Sequence, residues 1–530
     1  MLHLRKNRQK ISEQEQYLDY VSHIALPALK QGNVSYVNFL LRVFTIKDAK
    51  PYHIEIADLF VELLAHTSVK GLIRLDEECR CYPYDVYNLN WRDIDCHSML
   101  SHETLSYLSG EQYAAILRLG TFHSNGYFRQ MCMEKLAQYP DNLPFFVMRL
   151  NDWVNEIRQS AYQLAVKRIC VCGIQELFSA MPILDKVKNS RRRNESHLTS
   201  IEAEIQEQIR KNFTSYPLNL IHTYDITVKN SIYRFLNQNK VLELSQMERL
   251  CSLEKTGYGK RLLILGIFKH FDCTEDMILG YLSDKSAIVR YHALDYYYAK
   301  RKDVWDGLEH MLMDKSRKIR DNVNYILKKH TDFDVLAYYK EQLQKQAHII
   351  AILGIGENGS REDMDIILPY FGSSDERFIK AALQSYGMLA KEQGEEIYWK
   401  YLMHPSILLS KQAYRLIKKY DIHYGSKILY ETYLECQNRP AAEDFVLLLT
   451  KEPSWCSLPY LLLLYDSEVL SENVKMRVRA AVNNRNMYAK VSLEQEHHIR
   501  SVLELQQNHI PENLYKSILF DLKYVAKKYY

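Results

Sequence analysis

Residues 284–297, DKSAIVRYHALDYY, carry the pattern that decides the fold. Val289, Ala293 and Tyr297 follow one another at intervals of four, which is the spacing of one face of an α-helix. The apolar–basic pair Val289-Arg290 recurs along most of the chain. Its basic residue, or the equivalent one in weaker copies, lies at positions 129, 158, 229, 260, 290, 320, 380 and 411. An interval near 30 residues predicts stacked helix pairs, because one pair cannot bury its own apolar face alone.

Two longer steps in this series fit the same interval. Ile349-Ile350 holds the missing place between 320 and 380, and the step from 158 to 229 covers two periods plus an insertion of about ten residues. The residue three positions after each basic residue is nonpolar in every copy, as helix-to-helix packing requires. These residues are Cys132, Ala161, Ile232, Leu263, Ala293, Val323, Leu383 and Tyr414.

An aspartate precedes the arginine by six residues in three copies, at Asp152, Asp284 and Asp314. A carboxylate in this place can cap the N-terminus of the following helix. It can also pair with the basic residue of an adjacent repeat. The recurring dipeptide is therefore interpreted as mostly structural.

The segments AILGIGENG (351–359) and SDERFIKAALQSYG (374–387) carry a family resemblance. They resemble HEAT repeats, specifically the short bacterial phycobilin-lyase-type variety, and the resemblance covers about 120–180 and 220–420. It implies an all-α fold, a right-handed α-solenoid (superhelix) of stacked helix pairs. It also implies a structural ladder of turn residues between repeats, which would comprise Asp152, Arg158, Asp284, Arg290, Asp314, Arg320 and Lys380.

The regularity of the pattern divides the chain into three regions. Residues 1–110 form an N-terminal helical region with a non-repeat segment at 76–110. Residues 111–425 form the repeat array, with a basic insertion at 183–212 whose second half we expect to be an exposed helix. Residues 426–530 are predicted to be degenerate helical repeats and a cap.

Composition indicates an ordinary soluble protein, with 47% hydrophobic and 25% charged residues and a net charge of +4. This charge is too small to mark a nucleic-acid binder by itself. The ten cysteines are scattered without a CxxC pair, which favours free thiols in a reduced, cytoplasmic setting. The apolar run 459–465 is too short to span a bilayer, so no transmembrane segment is predicted. A membrane anchor ahead of this start in a longer product is left open.

Chemical motifs are weak throughout. Cys79, Cys81, Cys96 and His97 form a cluster with zinc-ligand types, but the spacing is poor for one tetrahedral site. The segment 257–260, GYGK, lacks the full length of a phosphate-binding loop. No serine-nucleophile elbow or HExxH motif occurs. The sequence predicts no catalytic residue, metal or cofactor, and hence a protein that is not an enzyme.

The favoured function is a scaffold or adaptor that binds a protein or peptide partner. One alternative is a nucleic-acid-binding solenoid using a basic stripe around 300–329, and a weaker one is a lyase-like enzyme. Basic segments also allow contact with an anionic membrane surface. Function is expected where the period fails, at 76–110 and 183–212, and on the exposed face beside the ladder. The candidate contact residues are Arg191, Arg192, Arg193, Tyr297, Tyr298, Lys315, Arg317, Lys318 and Tyr325.

Overall fold

The computed structural model describes residues 13–79, 105–192, 194–213, 215–439 and 441–526. Within these ranges the regular structure is helical throughout, with no β-strand. Short 3₁₀ segments join several of the α-helices. The α-helices are α1 (Glu13–Tyr20), α2 (Leu26–Lys30), α3 (Val37–Leu41), α4 (Lys50–Ala65), α5 (Val69–Glu78), α6 (Gly110–Gly120), α7 (Gly126–Leu136), α8 (Leu143–Arg149), α9 (Asn155–Ile169), α10 (Ile174–Lys188), α11 (Glu195–Phe213), α12 (Ile226–Gln238), α13 (Leu244–Leu253), α14 (Gly257–His270), α15 (Glu275–Leu282), α16 (Ala287–Arg301), α17 (Arg317–His330), α18 (Val335–Lys345), α19 (Ile349–Asn358), α20 (Met364–Ile367), α21 (Glu376–Ala390), α22 (Glu395–Leu402), α23 (Ile407–Lys419), α24 (Ser426–Cys436), α25 (Ala442–Leu449), α26 (Ser454–Leu463), α27 (Glu472–Asn483), α28 (Leu493–Leu505) and α29 (Glu512–Ala526).

The chain divides into two compact units, residues 1–300 and 301–530. In the first unit the second helices of successive pairs pack on one another, α7 on α9 and α9 on α11, and α12 packs on α14. In the second unit the series α19, α21, α23, α25 and α27 does the same. Each unit is therefore a stack of helix pairs, and the prediction of an all-α solenoid is confirmed.

Helix α17 shows how the sequence builds such a layer. Ile319, Val323, Ile326 and Leu327 repeat at helical spacing and are all buried. Close approach between neighbouring helices needs small residues as well. A Cβ on Gly356 of α19 would lie 2.5 Å from the Cα of Ser385 in α21, so glycine is required at that contact.

The insertion at 183–212 is part of the stack, and the prediction of an exposed helix there is wrong. Helix α11 packs on α9 and α10 and so takes the place of the second helix of a pair. Its strong helix formers indicate a surface helix, but apolar residues recur between them at intervals of three and four. The buried residues of that stripe are Leu198, Ile201, Ile205, Ile209 and Phe213.

The boundary at 300/301 lies inside the predicted repeat array of 111–425. The proposed boundaries at 110/111 and 425/426 stay predictions. After residue 425 the helix pairs continue as α24 with α25, α26 with α27, and α28 with α29. In the part of the chain that the structure describes, no helix has the length and apolar character to cross a membrane.

Candidate functional site

The turn before the second helix of a pair is closed by a side-chain acceptor. Asp152 Oδ1 accepts the backbone N–H of Val154 at 3.1 Å. The same bond recurs with different residue types six positions before the basic residue, at His123, Glu254, Asp284 and Asp314, and seven positions before Lys411, at His404. In each case the N–H donor lies two residues after the acceptor.

The basic residue closes the same turn from the helix side. The guanidinium of Arg158 donates to the carbonyl oxygens of Asp152 at 2.7 Å and Trp153 at 3.1 Å. Arg290 donates to the carbonyl of Asp284 at 2.6 Å. Arg320 donates to that of Asp314 at 2.8 Å. Each of these arginines therefore ties its own turn to its own helix.

Some basic residues also pair with a carboxylate of the next helix pair. The bonds from Arg129 to Asp152 are 3.0 Å and 2.7 Å long. The other pairs of this kind are Lys229 with Glu254, Arg320 with Glu357, and Lys411 with Asp444. Lys380, a predicted ladder residue, makes no hydrogen bond or ion pair with any described residue. The ladder is therefore discontinuous.

Asp152 holds the most buried of these networks. Its side chain has no exposed area and lies between Arg129 and Arg149, which are 5% and 1% exposed. Burial opposes ionisation of this carboxyl, but the hydrogen bond from Arg129 and the two positive charges outweigh it and lower its pKa. The carboxylate thus stays charged at neutral pH.

A cleft of about 450 Å³ opens beside this network in the first unit. We call it the junction cleft, because its lining joins residues from both segments where the repeat pattern fails. Asp76 and Glu77 come from the segment 76–110, and residues between 183 and 192 come from the segment 183–212; they lie beside the turn between α8 and α9. The lining residues are Ile73, Asp76, Glu77, Met148, Arg149, Asn151, Trp153, Ile183, Lys186, Val187, Asn189, Ser190 and Arg192.

Ion pairs hold the walls of the junction cleft together. Arg149 pairs with Asp76 of α5 as well as with Asp152, and its guanidinium carbon lies 5.6 Å from the ring centre of Phe122. Lys186 of α10 pairs with Glu77 of α5. Helix α5 is thereby fixed to α8 and α10, so the cleft is a preformed feature of the stack.

The rim of the junction cleft carries the chemistry of a binding surface. Trp153 is 64% exposed, which is unusual for the largest aromatic side chain. The guanidinium of Arg192 lies 4.2 Å from the Trp153 ring centre, in a cation–π contact. Asn151 adds a buried amide oxygen with no hydrogen-bond partner among the described residues.

The predicted contact residues fall into different environments. Tyr297 is buried, with its hydroxyl on Glu275, so its assignment as an exposed contact is wrong. It lies on the i, i+4, i+8 face that packs into the stack. Tyr298 is half-buried, while Tyr325 is 58% exposed with Lys329 near its ring.

Most of the predicted cationic contacts are exposed. Arg191 and Arg192 follow α10 on the surface of the first unit, and Arg193 lies outside the described residues. In the second unit Lys315, Arg317 and Lys318 are exposed. Arg317 lies 3.5 Å from a carboxylate oxygen of Asp321 and 3.7 Å from one of Glu357, so its charge is partly balanced.

Most residues of the weak zinc cluster lie outside the part of the chain that the structure describes. Cys81, Cys96 and His97 lie in the gap between 79 and 105. Cys79 is buried, and its Sγ lies 3.8 Å from the carbonyl oxygen of Val34. In the described ranges no group of three or more histidine, cysteine, aspartate or glutamate side chains is placed to hold a metal ion.

No protein-family model matches the sequence, and no curated protein is significantly similar to it. Among solved structures, the S. pombe condensin Cnd3–Cnd2 subcomplex is 14% identical over 96% of this chain and 88% of that chain, with a TM-score of 0.35. Kap95p, solved with RanGDP, is 10% identical over 87% and 67%, with a TM-score of 0.33. Kap121p is 12% identical over 96% and 55%, with a TM-score of 0.22.

These proteins are HEAT-repeat solenoids. At such TM-scores the description of the fold rests on this chain's own helices and not on the likenesses. Kinship with the phycobilin-lyase-type repeats stays a prediction.

Proposed function

We propose that this protein is a non-enzymatic scaffold that binds a protein or peptide partner, and that the junction cleft is its anchoring site. The observation that carries the proposal is the exposed Trp153 with Arg192 across its ring at the rim of a preformed cleft. Tryptophan and arginine are the residues most enriched among interface hot spots. A fixed wall lowers the entropy cost of binding, since little has to be ordered when the partner arrives.

The cleft suits one anchor of a larger interface. Its floor combines the apolar Met148, Ile183 and Val187 with the amide of Asn151. Such a mixture of apolar surface and a few polar groups favours a side chain or short segment of a partner. Charge on the rim comes from Arg192, since Lys186 is already paired with Glu77.

The nucleic-acid alternative has weaker support. In the first unit Lys300 pairs with Asp272 at 2.9 Å, and Tyr296 stacks on Phe268 with ring centres 4.3 Å apart. In the second unit Arg320 is buried against Glu357. Groups engaged in this way are less available for phosphates and bases. No specific observation favours the lyase alternative.

Site-directed photo-crosslinking tests the proposal. A benzoyl-phenylalanine at position 153, installed in the native host, is expected to yield a discrete adduct with one protein, identified by mass spectrometry. Val171 is the matched control, because it lies in the same unit and is 73% exposed. Crosslinks from position 171 should not include that protein.

Quantitative binding follows once the partner is known. Trp153→Ala and Arg192→Ala should each weaken binding by about 2 kcal/mol, or roughly 30-fold, as hot-spot truncations do. Both side chains are on the surface, so folding should be retained. The same adducts from positions 153 and 171, or an affinity unchanged in both variants, would contradict the proposal.

A further inference from the structure

The turn 450–454 of the second unit stands where three cavities meet. Their volumes are about 530, 360 and 180 Å³, and Glu452 contributes to the lining of all three. The cavity of about 360 Å³, which we call the aromatic cavity, lies between α24, α26 and α28. Its lining residues are Gly425, Ser426, Lys427, Glu452, Pro453, Trp455, Cys456, Pro459, Tyr460, Gln495, His498 and Ile499.

Glu452 is a buried carboxylate with few partners. Its side chain is 6% exposed, and its one ion-pair neighbour among the described residues is His423, with Nδ1 at 3.3 Å. Glu254, a more deeply buried glutamate in a turn of the first unit, is fully engaged. It accepts from the backbone N–H of Thr256 and the Tyr233 hydroxyl and pairs with Lys229.

This contrast has an energetic meaning. Removing a carboxylate from water is costly unless hydrogen bonds and a counter-charge replace the water. Glu254 receives that replacement from its own turn and from its neighbours. Glu452 does not receive comparable donors from the described residues, so it retains the capacity to bind a cation.

The walls of the aromatic cavity suit the same ligand. The rings of Trp455, Tyr460 and His498 line it, and the Tyr460 and His498 ring centres are 5.5 Å apart in an edge-on arrangement. Aromatic faces attract ammonium and guanidinium groups. Among these lining residues Lys427 is the one lysine or arginine. Its side chain is 72% exposed, and its Nζ lies 3.8 Å from Oε1 of Glu431.

We propose that the aromatic cavity binds one lysine or arginine side chain of a protein partner, with Glu452 as the counter-charge. A basic head group would meet the carboxylate at the base of the cavity. Its aliphatic stem would lie along the prolines and aromatic rings, as such stems do on apolar surface. This site is separate from the junction cleft, and it extends the proposed scaffold function by naming the chemistry of a second contact.

Methyl NMR of the full chain tests the inference, with the δ1 methyl of Ile499 as the reporter inside the cavity. The probes are Ac-Gly-Lys-Gly-NH₂, its arginine analogue, the uncharged norleucine analogue and spermidine. The lysine and arginine peptides should give saturable shifts with dissociation constants in roughly the millimolar range, as suits a single side chain. The norleucine peptide should give no saturable shift.

Variants identify the counter-charge. Glu452→Gln keeps the side-chain shape and should weaken the binding of both the lysine and the arginine peptide at least tenfold. Glu468→Gln is the matched control, because it removes the same charge from an exposed position of the same unit. Tyr460→Leu keeps the carboxylate but removes a ring face, and it should weaken binding several-fold even if Glu452→Gln disturbs folding.

Four outcomes would overturn the inference. They are no saturable shift with the charged peptides, equal binding of norleucine, unchanged affinity in both cavity variants, and tighter binding of spermidine than of the lysine peptide. The last would assign the site to a small cation and not to a protein. Crosslinking from position 153 should be unchanged in Glu452→Gln, so this inference and the proposed scaffold function can fail separately.

Discussion

The carboxylate of Asp152 is expected to be the most sensitive polar group of the first unit. Asp152→Asn keeps the shape of the side chain but removes the negative charge between Arg129 and Arg149, which are 5% and 1% exposed. Arg149 retains Asp76, whereas Arg129 loses its carboxylate partner. Removing one partner of a buried ion pair costs about 3–5 kcal/mol, because the remaining charge stays out of water.

Hydrogen exchange measures this cost locally, which matters in a stacked protein whose unfolding need not be two-state. Since 1.36 kcal/mol is a factor of ten, backbone amides of α7 to α9 should exchange about 10²-fold faster or more in Asp152→Asn. Helices α24 to α27 in the second unit should keep their protection.

Asp284→Asn is the matched control within the first unit. Its side chain is half-buried and accepts the N–H of Ser286 at 2.6 Å, a bond that asparagine can also accept. We expect at most about 1 kcal/mol, or roughly fivefold faster exchange in α14 to α16. Equal effects of the two substitutions, or a neutral Asp152→Asn, would refute the assignment of the cost to the buried charges.

Three further outcomes are expected. Ile205→Ala should destabilise α9 to α11 by about 2–5 kcal/mol, as measured by hydrogen exchange. Glu207→Ala, at an exposed position of the same helix, should be nearly neutral. Equal effects of the two substitutions would contradict the packing of α11 into the stack. Burial opposes ionisation of Glu254, but its hydrogen bonds and a nearby lysine outweigh this and lower its pKa from 4.5 to about 2. Its stabilisation is therefore complete above pH 4.5 and lost as the pH falls towards 2, so acid should unprotect residues 250–260 in wild type, and Glu254→Gln should flatten that dependence. Wild-type protein should leave immobilised single-stranded DNA or RNA below physiological salt; salt-sensitive retention abolished by changing Lys315, Arg317 and Lys318 to glutamate would contradict this expectation.

The sequence predicts the fold well because the packing signal repeats. Ala161, Ala293 and Leu383, each three residues after a basic position, have no exposed area. One copy of such a pattern is ambiguous, but eight copies spaced by about 30 residues or about twice that distance are not. Charged helix formers dominate the composition of α11 and favour an exposed helix, whereas its apolar stripe is carried by only a few residues, among them Ile201, Ile205 and Ile209 at intervals of four.

The candidate site was predictable in place but not in composition. The interruptions of the repeat at 76–110 and 183–212 include Glu77 and Arg192, which line the junction cleft. Trp153 and Arg149 lie inside a regular repeat, so no break in the pattern marks them. Their role depends on contacts about 40 to 75 residues apart in sequence, such as Arg149 with Asp76, which one sequence cannot reveal.

The turn acceptors have a consequence for how this chain tolerates change. Aspartate, glutamate and neutral histidine all accept the same backbone N–H, at Asp284, Glu254 and His404. Each of these turns needs an acceptor lone pair at a fixed place, so several residue types can fill the position. A saturation-mutagenesis map should show Asp284 and His404 exchanging acceptors freely and rejecting lysine, which can only donate. Chains of very low sequence identity can therefore keep this architecture.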